Sequence, residues 1–240
     1  MFEYAIVHEK GERDYQEDSA EVFSGSGMSA FWVADGLGGH GRGKEASQMI
    51  IDHCKECLSQ GREIEDYFRE VFIRGNEKLL LAQDKLKNTE TMKTTLAGCV
   101  LRGRELSWAH IGDSRIYLFQ KERMVFRSLD HSVPQMLVLG GQIRESEIRN
   151  HPDRNRVLRV LGSREGDVKY ECGPTVLSES GMKVLLCTDG FWEWITEDRM
   201  EECLKQSGNV KEWLERMKMQ VRQTGMGHNM DNYTALGIWF

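Results

Sequence analysis

Residues 95–127 read TLAGCVLRGRELSWAHIGDSRIYLFQKERMVFR. Four short apolar runs stand in this stretch, Thr95–Leu101, Glu105–Ile111, Arg115–Phe119 and Arg123–Arg127, with turn-prone residues between them. Short strands at regular spacing predict antiparallel meanders of a sandwich. Upstream, Phe2–His8, Ser19–Phe23 and Ser29–Ala34 read as strands. Two helices follow. The first, Gly43–Gln60, carries Ala46, Met49, Ile50, Cys54, Cys57 and Leu58 on one face, and the second carries Ile64, Tyr67, Phe68, Val71, Phe72 and Leu79 at 3.6-residue spacing.

Downstream, residues 130–162 lose strand character, with two short helices expected around Gln135 and Glu145. Strands resume near Val168–Thr175 and at Lys183–Cys187. Thr196 and Asn209 then read as N-caps of two helices, before a last strand, Tyr233–Phe240. Helix pairs flanked by groups of strands predict an α+β fold of two packed antiparallel sheets covered by helices, not a parallel βαβ sheet. No linker, repeat or low-complexity segment interrupts the 240 residues, so one domain is expected over 1–240.

Composition narrows the function. With 32 Lys+Arg against 38 Asp+Glu, the net charge of −6 offers no basic footprint for nucleic acid. No signal-like or membrane-spanning apolar run occurs, so an intracellular, cytoplasmic protein is expected. Six scattered cysteines in a chain this long argue against a disulfide framework. Cys54 and Cys57 form C-x-x-C beside His53, but both thiols fall on the apolar helix stripe and no second pair completes a zinc site.

Four acids stand where strand-like runs give way to turns: Asp18, Asp35 before Gly36, Asp189 before Gly190, and Asp231 before Asn232. Singly each is an ordinary turn-former. Converged, their repulsion would be tolerable only with cations between them, and hard divalent ions suit such oxygen ligands. Two such ions bring roughly +4, about cancelling four carboxylates and creating a field able to hold a phosphate dianion. One carboxylate should bridge both ions, and acidified water then serves as nucleophile, with no side-chain nucleophile needed.

The surrounding residues carry a resemblance. Arg13, Asp14, Tyr15, Gln16, Glu17, Asp18 and Ser19, then Ala34–His40 with Asp35, Gly36 and Gly39, resemble the start of a bacterial type 2C metal-dependent Ser/Thr protein phosphatase (the PPM family). In the same order follow Thr94-Thr95-Leu96, Gly112-Asp113-Ser114-Arg115, Asp130-His131-Ser132, His151-Pro152-x-Arg154-Asn155, Thr188-Asp189-Gly190 and Asp231-Asn232-x-Thr234. The motifs span Arg13 to Thr234.

The resemblance implies a four-layer αββα sandwich with two ions, Mn2+ or Mg2+, at one end of the sheets. It implies Asp35 as the bridge, the Gly36 carbonyl as a further ligand, Asp189 and Asp231 on one or both ions, Asp18 on the second, and Glu17 reaching it through water. Arg13 would fork onto substrate phosphate, as a planar guanidinium matches it bidentately. For Asp113 two readings stand: a hairpin former, or by resemblance support for a third, weaker ion. His131 and His151 read as turn-capping residues before general acids, and His228 is left out of the site.

Three departures stand out. Leu37 occupies the place of a histidine proposed as proton donor in eukaryotic relatives, although bacterial relatives commonly carry an apolar residue there. Gln16 stands for asparagine and Lys93 for glycine. Residues 130–162 match the mobile flap subdomain of bacterial members, and Arg144, Arg149, Arg154, Arg156 and Arg159 are candidates to meet an acidic phosphopeptide. The implied partners are Ser/Thr-phosphorylated proteins and a Ser/Thr kinase, with the chain acting as a monomer. Two other classes remain beside this one, an inactive phosphatase-fold binding module and a hydrolase of small phosphorylated metabolites.

Overall fold

The structure is a computed structural model and describes residues 2–38, 42–86, 92–164 and 166–240. In chain order come strands β1 (Glu3–Glu9), β2 (Ser19–Gly25), β3 (Met28–Ala34) and β4 (Gly36–Leu37), then helices α1 (Arg42–Leu58), α2 (Ile64–Arg69) and α3 (Gly75–Leu86). Strands β5 (Lys93–Thr94), β6 (Leu96–Arg102), β7 (Glu105–Ile111), β8 (Arg115–Gln120) and β9 (Arg123–Arg127) form the meander. Helix α4 (Val133–Leu139), a 3-10 turn (Glu145–Asn150), β10 (Glu171–Cys172), β11 (Val176–Leu177) and β12 (Lys183–Cys187) follow. The chain closes with α5 (Asp189–Trp192), α6 (Glu197–Lys205), α7 (Val210–Gly225) and β13 (Tyr233–Trp239).

One sheet runs β1-β13-β12-β8-β9 and the other β10-β7-β6-β3-β2, with β11 also on β7; every pairing is antiparallel. Their inner faces meet through Phe31, Val33, Leu118, Val184, Leu186 and Ile238. The outer face of the second sheet packs on α1–α3 through Trp32, Ile50, Tyr67 and Phe72, and the outer face of the first on α6 and α7 through Phe119, Met200, Trp213 and Met217. That is the αββα sandwich: alternation along each strand sends one set of side chains between the sheets and the other under the helices.

The helix layer is pinned to its sheet by a buried polar relay. Trp32 Nε1 donates to the Tyr67 hydroxyl (3.0 Å), which donates to the Cys54 carbonyl (3.1 Å). Trp32 lies flat across β6 because its register partner is Gly98, where a Cβ would stand 2.2 Å from the indole. Cys54 and Cys57 are buried on α1, as the apolar stripe requires. The two expected N-caps are made: Thr196 Oγ1 accepts from Arg199 N–H (3.4 Å) and Asn209 Oδ1 from Glu212 N–H (2.9 Å).

Two expectations need correction. The expected second helix is not uniformly α: Glu70–Arg74 form a π turn between α2 and α3, which places one extra residue in the turn where the helix packs on α1. The expected strand near Val168–Thr175 shrinks to Glu171–Cys172, with Val176–Leu177 beyond it; Gly173 N–H still donates to the Trp108 carbonyl on β7 (3.0 Å), and the ladder breaks at Pro174, which has no N–H to give. No helix among the described residues is long and apolar enough to cross a membrane.

Candidate metal centre

The acidic turns gather at one end of the two sheets. Asp35 follows β3, Asp189 follows β12 and opens α5, and Asp231 precedes β13. Arg13, Asp14, Tyr15, Glu17, Asp35, Gly36, Leu37, Gly38, Asp113, Asn155, Val157, Asp189, Asp231 and Asn232 line one cleft of about 510 Å³. The second motif's last residues, Gly39 and His40, lie outside the described residues.

The backbone of Asp35 is fixed by the paired threonines. Asp35 N–H donates to Thr95 Oγ1 (3.0 Å), while its carbonyl accepts from Thr95 N–H (2.9 Å) and Thr94 Oγ1 (2.8 Å). No donor among the described residues reaches the Asp35 carboxylate. Burial, and then the charges of Asp189, Asp18, Asp113 and Asp231, push its carboxyl well above the ordinary range. Asp189 is raised likewise, by burial and then by Asp113, Glu193, Asp231 and Asp18, although its Oδ1 accepts from Gly190 N–H (2.6 Å). Asp113 is pushed up to about 7, mainly by burial, and its Oδ1 is buried without a hydrogen-bond partner. Aimed carboxylates that repel one another, one with an orphaned buried oxygen, are the donor set that hard divalent cations complete.

Gly36 stands where the α1 N-terminus comes closest. A Cβ there would lie 2.1 Å from the Gly43 carbonyl oxygen and 2.5 Å from that of Glu17. Glu17 is held in the same crossing, its Oε1 accepting from Gly43 N–H (3.1 Å). Gly36→Ala is therefore expected to pry β4 from α1, costing about 1–3 kcal/mol by overpacking and lowering metal affinity. Urea unfolding and Mn2+ titration of the variant check both.

Asn232 knits the remaining wall. Its Oδ1 accepts from Glu17 N–H (2.7 Å) and its Nδ2 donates to the Lys10 and Tyr15 carbonyls (both 2.8 Å). Arg13 forks onto Asp231 within the chain, Nε to Oδ1 at 3.0 Å and Nη2 to Oδ2 at 2.8 Å.

The placement of Asp18 differs from the expectation. It is buried behind the cleft and does not line it; its Oδ2 accepts from Thr188 Oγ1 (2.9 Å) and Thr234 Oγ1 (2.7 Å). Burial still outweighs those two bonds and raises it to about 7. Of the acidic pair Glu17 and Asp18, Glu17 is the one that faces the opening. The threonines of Thr188-Asp189-Gly190 and Asp231-Asn232-x-Thr234 were in view in the sequence, but their convergence on Asp18 needs the β12–β13 pairing.

The arginines of residues 130–162 do not form a free basic face. Arg144 pairs with Glu147, Arg149 with Glu197, Arg154 with Glu193, Arg156 with Asp153 and Arg159 with Glu171. Arg149 also donates to the Trp192 and Ile195 carbonyls, so it anchors the segment to the α5 end. From the segment, Asn155 and Val157 reach the cleft; Val157, an apolar residue in a polar stretch, carries no local signal of a site. His151 lies away from the lining, its Nδ1 accepting from Asp153 N–H (3.1 Å). His228 stacks on Trp194, with centroids 5.7 Å apart.

Residues 9–233 match the family model described as Protein phosphatase 2C. The chain belongs to the protein phosphatase 2C family. It is 33% identical over 207 residues to the serine/threonine phosphatase stp of Listeria monocytogenes, covering 83% of this chain and 81% of that protein. It is 29% identical over 244 residues to the serine/threonine protein phosphatase PstP of Mycobacterium tuberculosis, spanning 98% of this chain and 44% of that one. The fold superposes on the crystal structure of the M. tuberculosis serine/threonine phosphatase PstP/Ppp with a TM-score of 0.86 at 28% identity, covering 100% of this chain and 98% of the other. The catalytic domain of PstP in complex with 2 manganese ions matches with a TM-score of 0.82 at 26% identity, covering 99% and 97%.

Proposed function

We propose that the cleft removes phosphate from serine and threonine side chains of proteins, with two divalent ions held by Asp35, the Gly36 carbonyl, Asp189, Asp231 and Glu17, and with Asp113 available to a third. Metal-dependent Ser/Thr protein dephosphorylation is the activity of this family. The observation that carries the residue assignment is the convergence of buried carboxylates, which burial first and mutual repulsion second lift well above the ordinary range at Asp35 and Asp189. Bound divalent ions supply the charge that holds phosphate among these acids and acidify water enough to give a nucleophile at neutral pH.

The chain's own residues do the rest. Arg13 spends Nε and Nη2 on Asp231, leaving the N–H groups of Nη1 for a phosphate oxygen. Asp18 braces the Thr188 and Thr234 hydroxyls from behind, fixing the strand ends that carry Asp189 and Asp231. Leu37 lines the cleft and cannot give up a proton, and no histidine lines it among the described residues. The leaving oxygen then takes its proton from water or a cleft carboxyl.

An exposed rim favours protein substrates over an enclosed metabolite: Tyr15 is 61% exposed, and Arg13 and Asn155 are also open to solvent. In this reading the substrates are phosphorylated proteins opposed to a Ser/Thr kinase in the cytoplasm, and the enzyme is a monomer with residues 130–162 as the flap of a single catalytic domain. The test is turnover of an aryl phosphate and a phosphothreonine peptide with Mn2+ or Mg2+, before and after chelation. Loss on chelation and recovery on adding back either ion is expected on both substrates. Turnover that survives chelation overturns the metal reading, and turnover of small metabolites alone overturns the protein-substrate reading.

A further inference from the structure

The turn that carries Asp113 and the segment that carries Asn155 and Val157 are joined through one residue, His131. It is 6% exposed. Its backbone N–H donates to the Gly112 carbonyl (2.9 Å), and its ring Nδ1 accepts from Gly112 N–H (3.1 Å). Its own carbonyl accepts from Leu158 N–H (2.7 Å). Since Nδ1 accepts an N–H, the ring proton sits on Nε2. Glu171 Oε1 on β10 is 3.1 Å from Nε2 but off the N–H axis, so the contact orients the ring electrostatically and Nε2 keeps no aligned hydrogen bond.

His110, His131 and Glu171 also bring three ligand-type atoms within 4.8 Å of one another. Their geometry opposes an ion. The two rings are stacked, 4.8 Å apart and 12° from parallel, so their in-plane lone pairs run side by side instead of converging. His110 Nε2 is committed to the Leu129 carbonyl (2.8 Å), and the Arg159 guanidinium stands 3.6 Å from Glu171. The cluster is a clasp.

What the clasp holds follows from the peptide planes. The Gly112 carbonyl, held by the His131 backbone N–H, belongs to the peptide before Asp113, and the His131 ring holds the peptide one unit earlier through the Gly112 N–H, so backbone and ring together bracket Gly112. The Asp113 carbonyl, held by Trp192 Nε1 (2.9 Å), belongs to the peptide after it. Both planes flanking the Asp113 Cα are thereby fixed, while one oxygen of its side chain is buried without a partner. With no partner for that oxygen among the described residues, the backbone at Gly112 and Asp113 is a main determinant of where the carboxylate points. We propose that His131 is a positioning residue for Asp113, aiming its carboxylate into the cleft and, through Leu158, setting Asn155 and Val157 in register with it. This rests on the reading that Asp113 serves the cleft chemistry.

His131→Asn keeps an acceptor where Nδ1 stands, whereas His131→Gln moves it one bond farther out. In Mn2+ with an aryl phosphate, His131→Gln is expected to lower kcat about tenfold, the scale of lost support behind metal ligands, with KM little changed. His131→Asn should stay within about threefold. Added to Asp113→Ala, His131→Gln should cost nothing further. Hydrogen exchange at the Gly112 amide should speed up in the Gln variant and not in the Asn variant. If His131→Gln does not fold, His131→Ala with imidazole added to the buffer takes its place, with partial recovery of kcat expected. Equal losses in the Asn and Gln variants, or a Gln loss that persists undiminished beside Asp113→Ala, overturns the proposal and leaves Asp113 in the cleft. An Asp113→Ala enzyme with full turnover removes Asp113 from the chemistry and the proposal with it.

Discussion

Asp35→Asn is expected to lower kcat by at least a factor on the order of 10³, the upper range for loss of one transition-state contact, and to abolish tight Mn2+ binding by calorimetry. The variant should fold as well as the parent or better. Its backbone is held by Thr94 and Thr95, which the substitution does not touch. The lost charge is one that burial and four neighbouring aspartates oppose. A metal-free variant less stable than the metal-free parent would contradict the electrostatic picture even if activity vanished.

Burial of these carboxylates, added to by their repulsion, gives a pH dependence with a definite sign. Asp18 and Asp113 are raised to about 7 from the ordinary 3.8, and Asp35 and Asp189 move the same way. Between those values the metal-free folded chain binds more protons than the unfolded chain, so these groups' contribution is full below about pH 4 and is lost as pH rises through about 7. Divalent ions remove that loss by pairing the ionised carboxylates. The rise in Tm on adding Mn2+ should therefore be larger at pH 8 than at pH 5.5, which a pair of thermal scans will decide.

Strands were legible where alternation ran between unambiguous turns. Glu105–Ile111, Arg123–Arg127 and Lys183–Cys187 form as their sequences indicate. Residues 168–175 misled because strand-like composition on both sides hides the break that Pro174, with no N–H, makes in the partner ladder. Asp35 and Asp189 were visible because each follows a strand beside a glycine, and Asp231 because it stands with Asn232 just before one. Asp18 also stands at a strand boundary, just before β2, yet the distant Thr188 and Thr234 hydroxyls hold it behind the opening. The arginines of residues 130–162 looked available because partners such as Glu193 and Glu197 are close only in space. A charge in sequence is a candidate contact, and its nearest folded neighbour decides whether it stays available.

Asp130→Ala is expected to destabilise the protein by about 3–5 kcal/mol, the cost of stranding a buried partner, far more than loss of Asp153 from its exposed pair with Arg156, worth roughly 0–1 kcal/mol. The Arg115 and Asp130 side chains are each only 1% exposed. Their contact is a fork, Nε to Oδ1 at 2.8 Å and Nη2 to Oδ2 at 2.6 Å, with Nη1 on the Tyr117 hydroxyl at 3.2 Å. The guanidinium also lies 3.5 Å over the Trp192 ring. Without Asp130, Arg115 is left, among the described residues, with the longer 3.7 Å contact to the half-buried Glu197, an acid already bound by Arg149. Replacing both partners by apolar residues, Arg115→Met with Asp130→Leu, should cost less than Asp130→Ala alone, since the damage comes from the unpaired charge rather than the missing bridge. Urea unfolding of the three proteins separates these cases, and a loss below 1 kcal/mol for Asp130→Ala would refute the assignment. Because Trp192 carries Arg115 on its ring and Asp113 on its Nε1, the single variant should also lose turnover at temperatures where it remains folded. The buried pair thus ties stability and the aim of a cleft carboxylate to the same indole.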